Sequence, residues 1–366
     1  MTIFGTILIT AALAGEDPKA LVPGNRMVET AACSTFAPEN PLRKGPGQKS
    51  PEEQGPSRAG GPSNPLFRRL VEEGMAVDRT GKQCVRLPEP TMPDGLSEAE
   101  QQKILAQVAG HRPLEEFTRN AVVAPFAMEI VDVSLPEASE PLRRVDVGYV
   151  AYGKLEQIFS EDFLDQLLHQ VGGERKSRYP VGRRILLPDE LSQRHLPLPP
   201  DTDACKERYL FTAAALFDRV LLRTTRHVVV SRGEESLILA AALAPVFQED
   251  KEYPNQWQSI QVDDQGRVTF GQMRPYFASA SYTKATRLHQ PEGALFIEHH
   301  HLFAEPKDWF GGKNFLRSKL PLAVQEAVRK LRWQLRSPSQ PASPPKRSLP
   351  GNPSAAPPDQ PREARE

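Results

Sequence analysis

No excess of charge of either sign runs through this chain of 366 residues. Lys and Arg number 46, Asp and Glu 46, and the formal net charge is zero. A protein that grips nucleic acid by its phosphates carries a basic excess to displace their counterions. Nucleic acid is therefore not an expected partner. Cysteine is scarce, at three residues: Cys33, Cys84 and Cys205. So few, and an odd number, exclude a small domain framed by disulfides, and their spacing suits no zinc site. Cys84 and Cys205 could pair in an oxidising compartment, a point the sequence leaves open. Long hydrophobic runs are lacking too. The apolar stretch at residues 3–14 is too short to cross a hydrocarbon core of roughly 30 Å as a helix, so no transmembrane segment is expected. Also missing are a phosphate loop, a dinucleotide glycine pattern, a nucleophile elbow, Cys-x-x-Cys and His-Glu-x-x-His. No Ser, His and Asp can be assembled into a triad from their order alone.

What is present begins with that apolar run. It ends in Ala12-Leu13-Ala14, the small-x-small pattern read by signal peptidase, although the first basic residue, Lys19, comes only after it. Residues 1–14 are expected to be a signal peptide and the protein to be secreted or periplasmic. Proline is abundant, at 36 residues. Nine prolines from Pro18 to Pro65 punctuate residues 15–65, with Gly, Ser, Glu and Lys between them. Such a stretch buries too little apolar surface to offset the entropy of ordering it. It is expected to be a disordered linker, and the similar residues 337–366 a disordered tail. The folded unit is expected over residues 66–336. Gly172-Gly173 and Pro188, Pro197, Pro199 and Pro200 make residues 172–204 a long connection and a candidate subdomain break.

Within that unit, a short helix is expected over Pro65–Glu73. A capping box at Ser97 and Glu100 starts a second helix that stops at Gly110. A third follows Pro113 over Leu114–Asn120. Alternation of period two marks strands at Phe126–Val133 and Arg144–Gly153, the latter with Val145, Val147, Tyr149 and Ala151 on one face. Ser160 is placed to cap a helix carrying Phe163, Leu164, Leu167, Leu168 and Val171. Tyr209–Phe217 reads as helical. Val220–Val230 alternates, and Leu237–Leu243 is an apolar run. Asp263-Asp264-Gln265-Gly266 reads as a hairpin turn, and a longer hairpin joins Tyr276–Leu288 to Ala294–Phe303. A last helix after Pro321 carries the stripe Leu320, Val324, Ala327, Val328, Leu331 and Leu335. Its basic residues Arg329, Lys330, Arg332 and Arg336 lie largely opposite. Helices and strands do not alternate as parallel units require. The expectation is an α+β fold: an antiparallel sheet of five to seven strands, the C-terminal helix packed on it, and further N-terminal helices.

Three groups of residues could carry chemistry. Glu298-His299-His300-His301 stands on a strand, where His299 and His301 share a face and two imidazoles can reach one ion. Read outward, Gly293, His299, His301, Glu305 and Gly312 are separated by five, one, three and six residues. This resembles the first metal-binding motif of the cupin family, over about twenty residues. The resemblance implies a divalent metal held by His299, His301 and Glu305 in a small β-barrel enzyme. A fourth ligand converging on the pair, such as His227 or His289, would mark that enzyme out. Without it, the pair reads as solvent-facing. Second, Trp309 and Phe310 precede Gly311-Gly312, which permit close approach. They either anchor the helix on the sheet or, with Tyr276, line the mouth of a pocket. Third, Arg175, Lys176, Arg178, Arg183 and Arg184 surround Tyr179 and read as a solvated loop or an anion grip. Together these features favour a non-enzymatic exported module that binds a small apolar ligand or a protein partner, with the metal-dependent enzyme as the alternative.

Overall fold

The computed structural model describes residues 30–32, 63–78, 81–135, 140–160, 163, 179–198, 202, 204–310 and 315–336. The leader expected at 1–14, most of the linker expected at 15–65, the tail expected at 337–366, the basic residues 175–178 and the helix expected beyond Phe163 lie outside them. The helices are α1 (Pro65–Glu72), α2 (Glu98–Ala109), α3 (Leu114–Phe117), α4 (Leu155–Phe159), α5 (Pro188–Ser192) and α6 (Phe315–Arg336). Three short strands, β1 (Thr30–Ala32), β2 (Met75–Ala76) and β3 (Gln83–Val85), form a small antiparallel sheet with β3 in the middle.

The remaining strands are β4 (Ala127–Val133), β5 (Leu142–Tyr152), β6 (Gly182–Ile185), β7 (Cys205–Leu216), β8 (Val220–Arg232), β9 (Ser236–Leu243), β10 (Gln256–Val262), β11 (Val268–Phe270), β12 (Arg274–Pro275), β13 (Ser279–Arg287) and β14 (Ala294–Ala304). They make one antiparallel sheet of 11 strands. Its order is β6-β7-β8-β9-β13-β14-β5-β4. Strand β10 takes the length of the β8 edge that β9 leaves open, pairing Gln256–Ser259 with Arg223–Val220, and carries β11 and β12.

The fold is α+β with a C-terminal helix, as expected, but the sheet is larger than the five to seven strands expected. Both its faces are covered. Every residue of β9 and β14 is buried, and a strand covered on two faces loses the apolar–polar alternation by which a strand is recognised. Tyr209–Phe217 is the clearest case. Its Ala213-Ala214-Ala215 run favours a helix by intrinsic propensity, yet the segment is the core of β7, paired along its full length with the β-branched β8. Context overrides propensity here.

One face of the sheet packs against α6 and α4. Leu316, Leu320, Val324, Ala327, Val328, Leu331 and Leu335 from α6 meet Val145, Val147, Tyr149, Ile297 and Phe303. The helix begins at Phe315, six residues before Pro321, so that proline stands inside it and not at the first position. Pro321 is on the exposed side, where water can reach the Arg317 carbonyl that the missing amide leaves unbonded. Arg332 is buried in the interface and does not lie opposite the stripe. Its guanidinium donates to the carbonyls of Val150 (2.9 Å), Val122 (3.3 Å), Pro125 (2.9 Å) and Ala124.

The opposite face is covered by α1, α2 and the small sheet. Asn64 caps α1 by accepting from the Phe67 amide (2.9 Å) and donates to the Val229 carbonyl (3.0 Å), tying the cap to the sheet. The capping box at Ser97 and Glu100 forms as expected. The third helix is a single turn, Leu114–Phe117. Cys84 is disulfide-bonded and Cys205 is a free thiol, so the two are not paired with each other.

Candidate functional site

Strand period two sends His299 and His301 to the α6 face and His300 to the other. Neither outer imidazole faces solvent: both are buried, because α6 and the loop before it cover this part of β14. His299 Nδ1 lies 2.8 Å from Thr283 Oγ1, and the two rings stand 6.0 Å apart. Burial, with the charge of Arg226 nearby, pushes the His301 pKa down to about 3. Burial pushes His299 down as well, followed by its His301, His300 and Arg226 neighbours. Both rings are neutral at pH 7.

The structure does not bring Glu305 to this pair. It lies past the end of β14, and its carboxylate is engaged by Arg143. His227 points to the opposite face, 2.7 Å from Glu207. His289 sits in the β13–β14 turn, 3.1 Å from the Leu96 carbonyl. Among the described residues, no three His, Cys, Asp or Glu side chains are grouped to hold a metal ion.

What does converge is a cavity of about 40 Å³ between the sheet, α6 and the loop after β14. Its apolar wall is Leu216, Phe217, Leu222, Phe303, Leu316 and Leu320, and its other lining residues are Arg226, Tyr276, Ser279, His301 and Trp309. Of the residues singled out as ligand contacts, Tyr276 and Trp309 line it. Their rings stack at 5.5 Å and 24°, and the Tyr276 hydroxyl donates to the Ala304 carbonyl (3.1 Å). Phe310 closes the margin of this region, packing on Phe217 (5.9 Å) and Phe315 (5.2 Å). Trp309 and Phe310 are thus anchors, and Trp309 is a lining residue as well. Phe217 holds φ +51° and Asp218 φ +55° in the β7–β8 turn. That conformation is costly for a bulky side chain, and it seats the Phe217 ring at the cavity.

Arg226, the polar residue that sequence reading missed, is buried on β8. It stood in the alternating pattern of Val220–Val230 as one more member of the face. The only legible signal was a charge at an otherwise apolar position. Its Nη2 donates to Ser279 Oγ at 3.1 Å, and Ser279 Oγ lies 3.1 Å from His301 Nε2.

A second polar group, also missed, lies on the opposite face. Glu298 accepts from the Thr91 amide (2.7 Å) and the Met92 amide (3.3 Å). Lys284 donates to the Met92 carbonyl (2.7 Å) and pairs with Asp94 (2.7 Å). The Tyr282 hydroxyl donates to the Pro88 carbonyl (2.8 Å). These side chains strap residues 88–94 across the sheet. His300 lies between Asp146 (2.7 Å) and Glu298 (3.5 Å). Burial works against its charge, but hydrogen bonds and charges from the two carboxylates prevail and raise its pKa.

No protein-family model matches the chain, and no curated protein matches it. Among solved structures it is similar to human StAR-related lipid transfer protein 5, at 14% sequence identity and a TM-score of 0.30, over 65% of this chain and 96% of that one. A likeness that distant leaves function to be argued from the cavity itself. No helix among the described residues is long and apolar enough to cross a membrane.

Proposed function

We propose that the chain is a non-enzymatic binding module that takes a small apolar ligand between its sheet and its C-terminal helix. The observation that carries this reading is the cavity of about 40 Å³ walled by Leu216, Phe217, Leu222, Phe303, Leu316 and Leu320. About 10–15 Å³ admits one water molecule, so there is room here for several heavy atoms. Packed interiors rarely leave such a space, and an apolar wall favours an apolar occupant over water. The strained Phe217 at its edge is a further support, since such strain clusters where function requires it. An exported role fits the apolar run at residues 3–14 and its Ala12-Leu13-Ala14 end, and the disulfide at Cys84 suits an oxidising compartment.

Titration with benzene, an uncharged probe of six heavy atoms, followed by calorimetry, tests the reading. Saturable 1:1 binding is expected, and Leu222→Trp, which fills the cavity, is expected to abolish it while leaving the circular-dichroism spectrum unchanged. Undiminished benzene binding by a folded Leu222→Trp protein would place the probe elsewhere and remove the proposal.

A further inference from the structure

Residues 88–94 cross the sheet face opposite α6 without forming helix or strand. Pro88, Pro90 and Pro93 have no amide to donate. Among the described residues, no backbone-to-backbone hydrogen bond holds any part of this strap. Side chains hold it instead. Glu298 accepts from the Thr91 and Met92 amides, Lys284 reaches the Met92 carbonyl and Asp94, and Tyr282 reaches the Pro88 carbonyl. Ser236 Oγ lies 2.8 Å from the Asp94 carboxylate. The two ends are fixed. The Leu87 amide donates to the Leu70 carbonyl (3.0 Å), and Gly95, at φ +76°, turns the chain toward the Ser97 cap of α2.

Lysine and glutamate are almost never fully buried without partners. Lys284 and Glu298 are both buried, and the strap supplies partners to each. They also stand directly opposite one another on β13 and β14. That is the arrangement of a cross-strand ion pair, yet in this structure each turns to the strap. A second set of bonds is therefore available to them. Of residues 88–94 only Met92 is buried, in a cluster with Leu105, Phe117 and Phe296. Lifting the strap withdraws one apolar side chain from the core. The polar bonds it breaks are replaced by water and by the pairing of Lys284 with Glu298, which offsets most of their loss. An opening that gives up so little apolar burial takes place without unfolding the rest of the molecule.

We propose that residues 88–94 are a hinged lid with two states. Closed, the lid is clasped by Glu298 and Lys284. Open, it swings between Leu87 and Gly95 while the sheet stays folded, and the two clasping side chains pair with each other in contact with water. The proposal concerns the face away from the apolar cavity and stands independently of it.

The test is amide hydrogen exchange on the full chain, followed by NMR in a series of sub-denaturing urea concentrations. The Thr91 and Met92 amides are expected to exchange at least about tenfold faster than those of Val228–Val230, which lie in β8 between two paired strands. Their exchange should depend little on urea, whereas that of the β8 amides, which need global unfolding, should depend on it steeply. Glu298→Gln keeps the size of the clasp and removes its charge, and should speed Thr91 and Met92 by about tenfold. Asp94→Asn should speed them several-fold. Should Glu298→Gln fail to fold, the urea series on the unmodified chain and Asp94→Asn decide. Strap amides that exchange at the β8 rate with the β8 urea dependence would show that the strap opens only when everything unfolds, and would overturn the lid. So would exchange at Thr91 and Met92 left unchanged in the folded variants.

Discussion

Three consecutive histidines in this chain have opposite acid–base fates, and strand geometry decides which. His299 and His301 face α6 and are pushed down by burial. His300 faces Asp146 and Glu298 and is raised. The consequences for stability have opposite signs. A histidine held neutral in the fold binds fewer protons than it does unfolded, where it titrates near 6.5. Stability is therefore lost as pH falls below about 6.5, for His301 down to about 3, at up to about 1.4 kcal/mol per pH unit for each such group. His301 faces Arg226, Ser279 and the His299 ring, and none of these favours its protonation. In urea unfolding across pH 4–7, His301→Gln should have a slope shallower by about one proton. An unchanged slope would mean that the ring is hydrated. His300 works the other way: its contribution is full below about 6.5 and is lost as pH rises through its elevated folded value. His300→Gln should therefore destabilise most at mildly acidic pH and progressively less above neutrality. The shared face of His299 and His301 was legible from spacing alone. Their burial was not, because it is imposed by α6, a helix that is distant in sequence. The cupin-like spacing likewise carries no information about Arg143, which engages Glu305 from another strand.

At the scale of elements, local signals were read well and long-range ones poorly. The Ser97 capping box, the Asp263–Gly266 turn and the long β13–β14 hairpin are written in short stretches of sequence, and each is formed. Strands β6 and β12 were missed because they are short and defined by their partners. Strand β7 was misread because its pairing with β8 outweighs its alanines. Two substitutions test how elements are joined. Gly74 follows α1 at φ +93°, and a Cβ there would stand 2.8 Å from the Val85 carbonyl. Both the space and the conformation require glycine. Gly74→Ala should lower stability by about 2–4 kcal/mol, read as a lower denaturation midpoint; a neutral result would mean the α1–β2 join is looser than described. Arg332 ties α6 to β5 and to residues 122–125. Arg332→Met keeps the packing but strands several buried carbonyls. A loss of about 3–5 kcal/mol is expected, with Arg332→Lys recovering part of it. Full stability in the Met variant would show those carbonyls to be hydrated.

For the molecule as a whole, an 11-stranded sheet covered on both faces is sealed by contacts that differ between its sides. On the N-terminal side, ionic and backbone bonds strap residues 88–94 to Tyr282, Lys284 and Glu298. On the C-terminal side, α6 seals an apolar interface, and near its first turns the packing leaves a cavity. The cavity on that side is what gives the architecture its candidate role. The long helix stripe was visible in the sequence, but the space beneath Leu316 and Leu320 was not. It depends on how Phe217 and Arg226 of the β7–β8 hairpin meet Trp309 and α6 from a distant part of the chain. The most direct measurement is a crystal of the full chain pressurised with xenon and examined for its anomalous scattering. The account predicts one strong peak on the sheet side of α6 beside Leu316, Leu320 and Phe303. A peak elsewhere, or none at saturating xenon, would contradict it.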